Sequence, residues 1–421
     1  MSYLKENNFV YVKDKGRVKI SDVEIGDFIL SRKNNIEDFY TEVKRKDFRD
    51  SDSTIKILTK NGIYIDVDPY SNVLNYNKVY EYSNDLDNIK IAITPSKKLD
   101  LYSYDPKLSE IGWFLGAHTG DGTCDRKLIK NTKEEYYVYR LRIIGDNQTI
   151  INRYAKFLNP DKNFKIRKVD NKNYKTDVWT YEKTAKSIKY IVDNYFDGKF
   201  GNKTYTGKVY SYISDNNLWI PYLSGLMDSD GSVKRNGTIE VSMCMKDVID
   251  NVCHMLSKSG VRYHLLYSNN KRPNEAPMYR LTIYLNEEIT KKISEHMCHE
   301  IKIDKINSGD VDKFVSPNQY QLSDEIYNKI AYTKFKNVEI KLQSFYSIRC
   351  LTKKHPGYCG LGGLVCSKNV GVITEEEYYE IVRRENIKEI VVNDEKTKTI
   401  SLITESGNFY VGNFGFLNVS C

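Results

Sequence analysis

Two stretches of the chain repeat each other: Trp113-Phe-Leu-Gly-Ala-His-Thr-Gly-Asp-Gly122 and Tyr222-Leu-Ser-Gly-Leu-Met-Asp-Ser-Asp-Gly231. Gly116 overlays Gly225, Gly120 overlays Ser229, Asp121 overlays Asp230 and Gly122 overlays Gly231. Each stretch predicts a short helix stopped by its final glycine. Within each, the small residues four apart (Gly116 and Gly120, Gly225 and Ser229) share one face. A face without side chains lets two helix backbones approach closely. Packed on each other, the helices would bring Asp121 and Asp230 together at the bottom of the pair.

Such an arrangement is costly by itself. Neighbouring carboxylates repel, and each would sit at the negative end of a helix dipole. A divalent cation relieves both problems. Paired aspartates with backbone carbonyls form a hard-oxygen donor set suited to Mg²⁺ or Mn²⁺. Such a site can activate water and stabilise a leaving oxygen in phosphodiester hydrolysis. A single Asp-Gly would read as an ordinary helix-ending turn; the duplication favours paired metal ligands. His118, inside the first stretch, is expected to be a packed or solvent-side residue.

At 421 residues the chain suits two or three domains. Its net charge of +8 points towards a polyanionic partner. The 34 Tyr beside 64 Lys and Arg would suit stacking and phosphate contact, although an AT-rich genome would give the same bias. No window reaches the roughly 18 apolar residues of a membrane span, and the first residues lack an apolar signal core. An intracellular protein, in cytoplasm or nucleus, with no membrane partner is therefore expected. The cysteines lack regular spacing, so no disulfide framework is expected.

The repeat extends beyond the stretches. After the first come a strand over 134–144, a helix from Asp146 to 158 with Asp146 as its cap, two basic strands over 163–169 and 175–181, and a helix over 185–195. After the second, whose helix opens at Pro221, come a strand over 238–244, a helix over 246–258, strands over 262–268 and 278–285, and a helix over 287–297. The two aspartates lie 230 − 121 = 109 positions apart, room for one α/β unit. This pattern resembles the LAGLIDADG homing endonucleases in their single-chain, two-repeat form. The motif matches over 114–122 and 223–231. Thr119 stands where that family often has a further Asp, and Asp228 keeps it.

The chain ends read as short strands, among them 10–16, 17–31, 53–59 and 63–67, with a hairpin turn at Asn61-Gly62. Their order, the segment 79–95 and the C-terminal stretch 400–421 resemble the intein splicing domain, the Hint fold. The splicing residues depart from that family. Ser2 is the nearest candidate for the first nucleophile. The stretch Asp68-Pro-Tyr-Ser71 lacks the expected histidine. Val419-Ser420 replaces His-Asn before Cys421, and serine cannot form a succinimide. Two modules are thus expected: an all-β Hint-like domain made of both chain ends (1–98 and 371–421), and an inserted α/β, pseudo-two-fold LAGLIDADG endonuclease (105–305, with repeats over 105–200 and 215–305). Residues 306–370 would connect them, with a helix pair within 308–348.

The resemblance implies a monomer that cuts double-stranded DNA site-specifically, with backbone carbonyls of Gly120 and Ser229 completing the metal sites at Asp121 and Asp230. It also implies one basic residue per repeat to polarise the scissile phosphate. Lys271 is the candidate in the second repeat, and Lys165 or Lys168 in the first. Arg140, Arg142, Arg167, Lys175, Arg262 and Arg280, on strands with alternating basic and polar residues, are the candidate DNA contacts. Cys350, His355, Cys359 and Cys366 beside a Gly-rich loop invite a Zn²⁺ reading, but their spacing is not a standard finger. Two rival readings stay open: a chain that still splices, and a DNA-binding protein that no longer cuts.

Overall fold

The structure is a computed structural model and describes residues 2–33, 37–74, 80–82, 91–93, 95, 104–130, 135–160, 163–169, 177–197, 207–234, 238–268, 277–284, 287–308, 319–332, 358–382 and 384–421. The chain divides into two compact units. One comprises Met1–Leu99, Cys253–His264 and Asp310–Cys421; the other comprises Asp100–Val252 and Leu265–Gly309.

In the first unit, strands from both chain ends share a 14-stranded sheet. The C-terminal strand Thr397–Thr404 pairs with the long strand Asp38–Ser51, and Arg384–Asn393 pairs with Thr54–Thr59. Thr54–Thr59 and Tyr64–Val67 form the hairpin expected at Asn61-Gly62, where Gly62 adopts φ +92°. That left-handed conformation is why glycine follows the asparagine. The sequence reading had no strand over 38–51, whose charged residues hide its alternation. Within this unit His254 Nε2 lies 3.0 Å from Gly412 O, and the Tyr263 hydroxyl donates to Phe414 O at 2.5 Å.

The repeat lies in the second unit, except that Cys253–His264 of its second copy belong to the first unit. Its first copy runs through helix Pro106–Asp121, strands Gly122–Lys130 and Glu135–Gly145, helix Gln148–Leu158, strands Arg167–Lys168 and Trp179–Ala185, and helix Ile188–Tyr195. Its second runs through helix Trp219–Ser229, strands Gly231–Val233 and Ile239–Met243, helix Lys246–Lys258, strands Arg262–Ser268 and Met278–Tyr284, and helix Glu287–His296. Each copy forms a four-stranded sheet with the same order, in which the second strand lies between the first and the fourth and the third is at an edge.

Several boundaries differ from expectation for local reasons. The first motif helix is longer, because Asp105 accepts from Lys107 N and Leu108 N and Pro106 fits the first helical position. Pro221 is the third residue of its helix. Asn147, not Asp146, caps helix Gln148–Leu158, accepting from Thr149 N and Ile150 N. The glycines after the motifs are not left-handed caps. Gly122 is extended (φ −83°, ψ 157°) and opens a strand. Glycine is required there by contact: a Cβ on Gly122 would lie 2.3 Å from His118 Nδ1, and one on Gly231 2.5 Å from Met227 Cε. The strands opening at both glycines were not foreseen. Between 308 and 348 the described residues show strand Gln319–Gln321 and one helix, Asp324–Tyr332.

Candidate active site

Both motif helices are apolar nearly all round, the pattern of a helix with no solvent face. Trp113, Phe114, Leu115, Tyr222, Leu226 and Met227 are all buried. At about 1.5–3 kcal/mol each, these side chains make the helix pair a major part of the unit's core.

The small residues set how closely the helices approach. A Cβ on Gly116 would lie 1.9 Å from Tyr222 O and 2.8 Å from Leu226 N. A Cβ on Gly225 would lie 2.0 Å from Trp113 O and 2.8 Å from Ala117 N. The overlay of the stretches turns each of these contacts into the other. Hydrogen bonds cross the pair in the same way. Trp113 Nε1 donates to Asp228 Oδ2 at 2.7 Å, and the Tyr222 hydroxyl donates to Thr119 Oγ1 at 3.1 Å. The first aromatic of each stretch thus reaches the residue two positions before the last aspartate of the other. Thr119 and Asp228, different in chemistry, serve one purpose.

The helices still touch at their ends. A Cβ on Gly120 would lie 2.0 Å from Ser229 Oγ and 3.3 Å from Asp230 N. Asp121 is half-buried and Asp230 exposed. A Cβ on Gly145 would lie 3.3 Å from Asp121 Oδ2, so this carboxylate rests against the end of strand Glu135–Gly145. Two carboxylates and the terminal carbonyls of two adjacent helix ends make the oxygen donor set a hard divalent cation takes. Among the described residues, no cluster of three or more His, Cys, Asp or Glu side chains is poised to hold a metal, so these side chains alone do not complete a metal site.

Lys302, on helix Glu300–Asn307, was missed by sequence reading. Its Nζ donates to Met227 O at 2.8 Å and Asp228 O at 2.7 Å, and lies 3.4 Å from Ser229 O. It therefore caps the C-terminal end of the second motif helix. Burial pushes its pKa down, while Asp228, Asp121, Asp146 and Asp230 act to raise it. Lys302 is thus within electrostatic reach of both motif aspartates. Asp228 sets its position: Asp228 Oδ2 accepts Cys298 N at 2.8 Å and Oδ1 accepts His299 N at 3.1 Å, at the start of that helix. Burial and Lys302 hold the His299 pKa down, and its Nδ1 is buried without a hydrogen-bond partner. No local sequence signal marks Lys302, since only the fold brings residue 302 to residue 229.

The remaining candidates are scattered. Lys271 and Lys175 lie outside the described residues. Lys165 is exposed, and Lys168 Nζ is 2.7 Å from Asp177 Oδ1. His118 is buried, with Nδ1 2.7 Å from the Tyr154 hydroxyl, and stacks on Phe196. Arg140 is held by Asp125, and Arg280 Nε lies 3.7 Å from Glu240. Arg167 is exposed on its strand. Arg262 lies on strand Arg262–Ser268. Cys350 and His355 lie outside the described residues; Cys359 is buried and Cys366 lies on helix Leu361–Asn369.

At two of the splicing positions, Ser2 and Ser71, the serine hydroxyl is engaged in backbone contacts. Ser2 Oγ accepts Asn72 N at 3.0 Å and donates to Asn72 O at 3.1 Å. Ser71 Oγ accepts Tyr3 N at 3.0 Å and donates to Tyr3 O at 2.9 Å. Ser420 Oγ is buried without a partner, and Cys421 Sγ lies 3.0 Å from Thr404 Oγ1.

Comparison with known proteins identifies a LAGLIDADG-like domain at residues 220–297. No curated protein matches the chain. Among solved structures, mesophilic variants of the homing endonuclease I-DmoI are similar at 17% identity and a TM-score of 0.32, over 46% of this chain and 93% of theirs. The homing endonuclease I-WcaI bound to its DNA recognition sequence is similar at 13% identity and a TM-score of 0.31, over 49% of this chain and 88% of that one. The gp41-1 intein is similar at 18% identity and a TM-score of 0.19, over 23% of this chain and 70% of that one.

Proposed function

We propose that this chain is a site-specific homing endonuclease that makes double-strand breaks in DNA by divalent-metal-dependent phosphodiester hydrolysis, carried in an intein-like β domain whose splicing residues are degenerate. The observation that carries this reading is the reciprocal packing of the two motif helices, which brings Asp121 and Asp230 to one end of the pair beside Lys302. The LAGLIDADG-like domain at 220–297 supports it.

In this reading Asp121 and Asp230, with the carbonyls of Gly120 and Ser229, hold Mg²⁺ or Mn²⁺. The bound ion supplies Lewis-acid polarisation of the phosphate and a more acidic water. The chain's own contribution is placement. The helix pair fixes two carboxylates on opposite sides of a pseudo-two-fold axis, so each serves mainly one strand. Lys302 joins Lys271 as a candidate basic residue of the second repeat. Its ammonium braces the helix end that offers the Ser229 carbonyl and adds positive charge where phosphate would enter. The sheets supply the DNA contacts.

The test is cleavage of a target recovered by selection from a randomised duplex library with Mg²⁺. Asp121→Asn and Asp230→Asn should each lower cleavage by about a hundred- to a thousandfold, the scale of losing one preorganised charge contact, while DNA binding stays within a few-fold. Either variant cutting both strands at the wild-type rate would sink the assignment.

A further inference from the structure

Cross-strand register lets the two sheets be compared residue by residue. Gly122 and Gly231 follow the motif aspartates and open their strands. Gly122 faces Ile143 and Gly231 faces Val241, both buried. One position further, Thr123 faces Arg142 and Ser232 faces Glu240. Arg142 and Glu240 therefore hold the same place in the two copies, opposite the residue two past the aspartate, on the side of the sheet opposite the buried Leu141, Ile143 and Val241. They carry opposite charge.

Their surroundings differ as well. Glu240 is neutralised in place: Lys234 Nζ lies 2.8 Å from its Oε2, Arg280 Nε lies 3.7 Å from its Oε1, and its side chain is only 16% exposed. In the first copy the charge pairs form around Arg140 instead. Arg140 Nε lies 3.0 and 3.1 Å from the Asp125 oxygens, and its Nη1 lies 3.6 Å from Glu182. Glu182 is the register partner of Arg142, yet its carboxylate reaches Arg140. Among the described residues Arg142 forms no ion pair, and its Nε is buried without a hydrogen-bond partner. A half-buried guanidinium without an anion is expensive, and a phosphate is the anion its planar fork matches.

We propose that Arg142 grips the DNA backbone beside the bond cut in the first half-site, and that Glu240, locked by Lys234 and Arg280, makes no equivalent contact, so the two halves of the duplex are held unequally. The proposal rests on the nuclease reading and sharpens it to one residue. It separates Arg142 from Arg140 and Arg280, which are already in intramolecular ion pairs.

The experiment measures binding to the selected duplex, and to versions carrying single base changes, in Ca²⁺ across a series of salt concentrations. Arg142→Met should weaken binding by roughly tenfold on every duplex, and the slope of log Kd against log salt should fall by about one, as for loss of one phosphate contact. Arg142→Lys keeps the charge and should restore the slope, with part of the affinity still lost. Glu240→Gln should stay within about twofold of wild type, because no phosphate contact is lost. Ethylation interference on the wild-type complex gives a readout that needs no variant: a blocking phosphate near the first scissile bond, and none at the symmetry-related position. An unchanged slope for Arg142→Met, a loss confined to one altered base pair, or interference equal in both halves would each overturn the proposal. A wild-type chain that binds no duplex overturns the nuclease reading itself, and this proposal with it.

Discussion

Gly116→Ala tests the central geometry without touching any proposed ligand. The added Cβ would sit 1.9 Å from Tyr222 O and 2.8 Å from Leu226 N, both backbone atoms, where ordinary contact begins at 3.4 Å. No side-chain rotation relieves this, so the helices must part by 3.4 − 1.9 Å, roughly 1.5 Å. Overpacking of this kind costs about 3 kcal/mol or somewhat more, because the gap also strips dispersion contacts from neighbouring core side chains. Alanine recovers about 1 kcal/mol through its higher helix propensity. The net loss is about 2–3 kcal/mol, or a urea midpoint lower by about 1 M. All three tryptophans, Trp113, Trp179 and Trp219, lie in the unit that holds these helices, so Trp fluorescence follows its unfolding. Gly120→Ala is the informative comparison. Its Cβ meets side-chain atoms first, Ser229 Oγ at 2.0 Å and Ser229 Cβ at 2.7 Å, with Asp230 N next at 3.3 Å. In a Ser229→Gly background Gly120→Ala should therefore regain most of its stability, whereas no side-chain truncation rescues Gly116→Ala. A midpoint for Gly116→Ala at or above wild type would refute the close approach from which the whole site is built.

Three further outcomes follow from particular contacts. Asp228→Asn puts a donor where the carboxylate accepts Trp113 Nε1, Cys298 N and His299 N, and should cost about 3 kcal/mol in urea unfolding, the scale of charge-assisted bonds broken in a buried site. Lys302→Met uncaps Met227 O and Asp228 O and should cost about 1–2 kcal/mol; first-turnover cleavage should fall by at least about tenfold, and an unchanged rate would remove Lys302 from the site. Burial, with Asp125 adding, pushes the Cys124 thiol up to about 12. Native protein at about pH 8 should therefore leave Cys124 unalkylated by iodoacetamide, as read by mass spectrometry, while unfolded protein reacts.

What the sequence disclosed was set by periodicity. Helix Lys246–Lys258 and strand Arg262–Ser268 match their predicted ranges, because apolar spacing and flanking polar residues mark both ends. The bare faces of the motif helices were also legible, since Gly116 and Gly225 carry that information by themselves. The short strand Gly231–Val233 was not, because three residues have no period to read. The terminal glycines were assigned the right type of residue for the wrong reason: contact with His118 and Met227 requires them, not a left-handed turn. Charged side chains posed the hardest problem. Alternation puts Arg140 and Arg142 on one face without saying which is already paired. Only cross-strand register separates them, by setting Asp125 opposite Arg140 and Thr123 opposite Arg142.

The same distinction explains why the two motifs diverged at Thr119 and Asp228. Both positions accept a hydrogen bond from the aromatic that opens the other stretch, and threonine or aspartate can do that. Aspartate has lone pairs left over. At 228 they take the backbone amides of Cys298 and His299 and so fix the helix that carries Lys302. At 119 the hydroxyl proton is already committed to Leu115 O. A helix-to-helix bond alone therefore imposes no choice between the residues, and the choice of aspartate at 228 follows from the second duty. Thr119→Asp would bury a carboxylate against the Tyr222 and Tyr210 hydroxyls and lose the bond to Leu115 O, and should destabilise the unit, whereas Thr119→Ser keeps these contacts and should be nearly neutral. Urea midpoints for the two variants that moved together would show that the positions are not divided in this way.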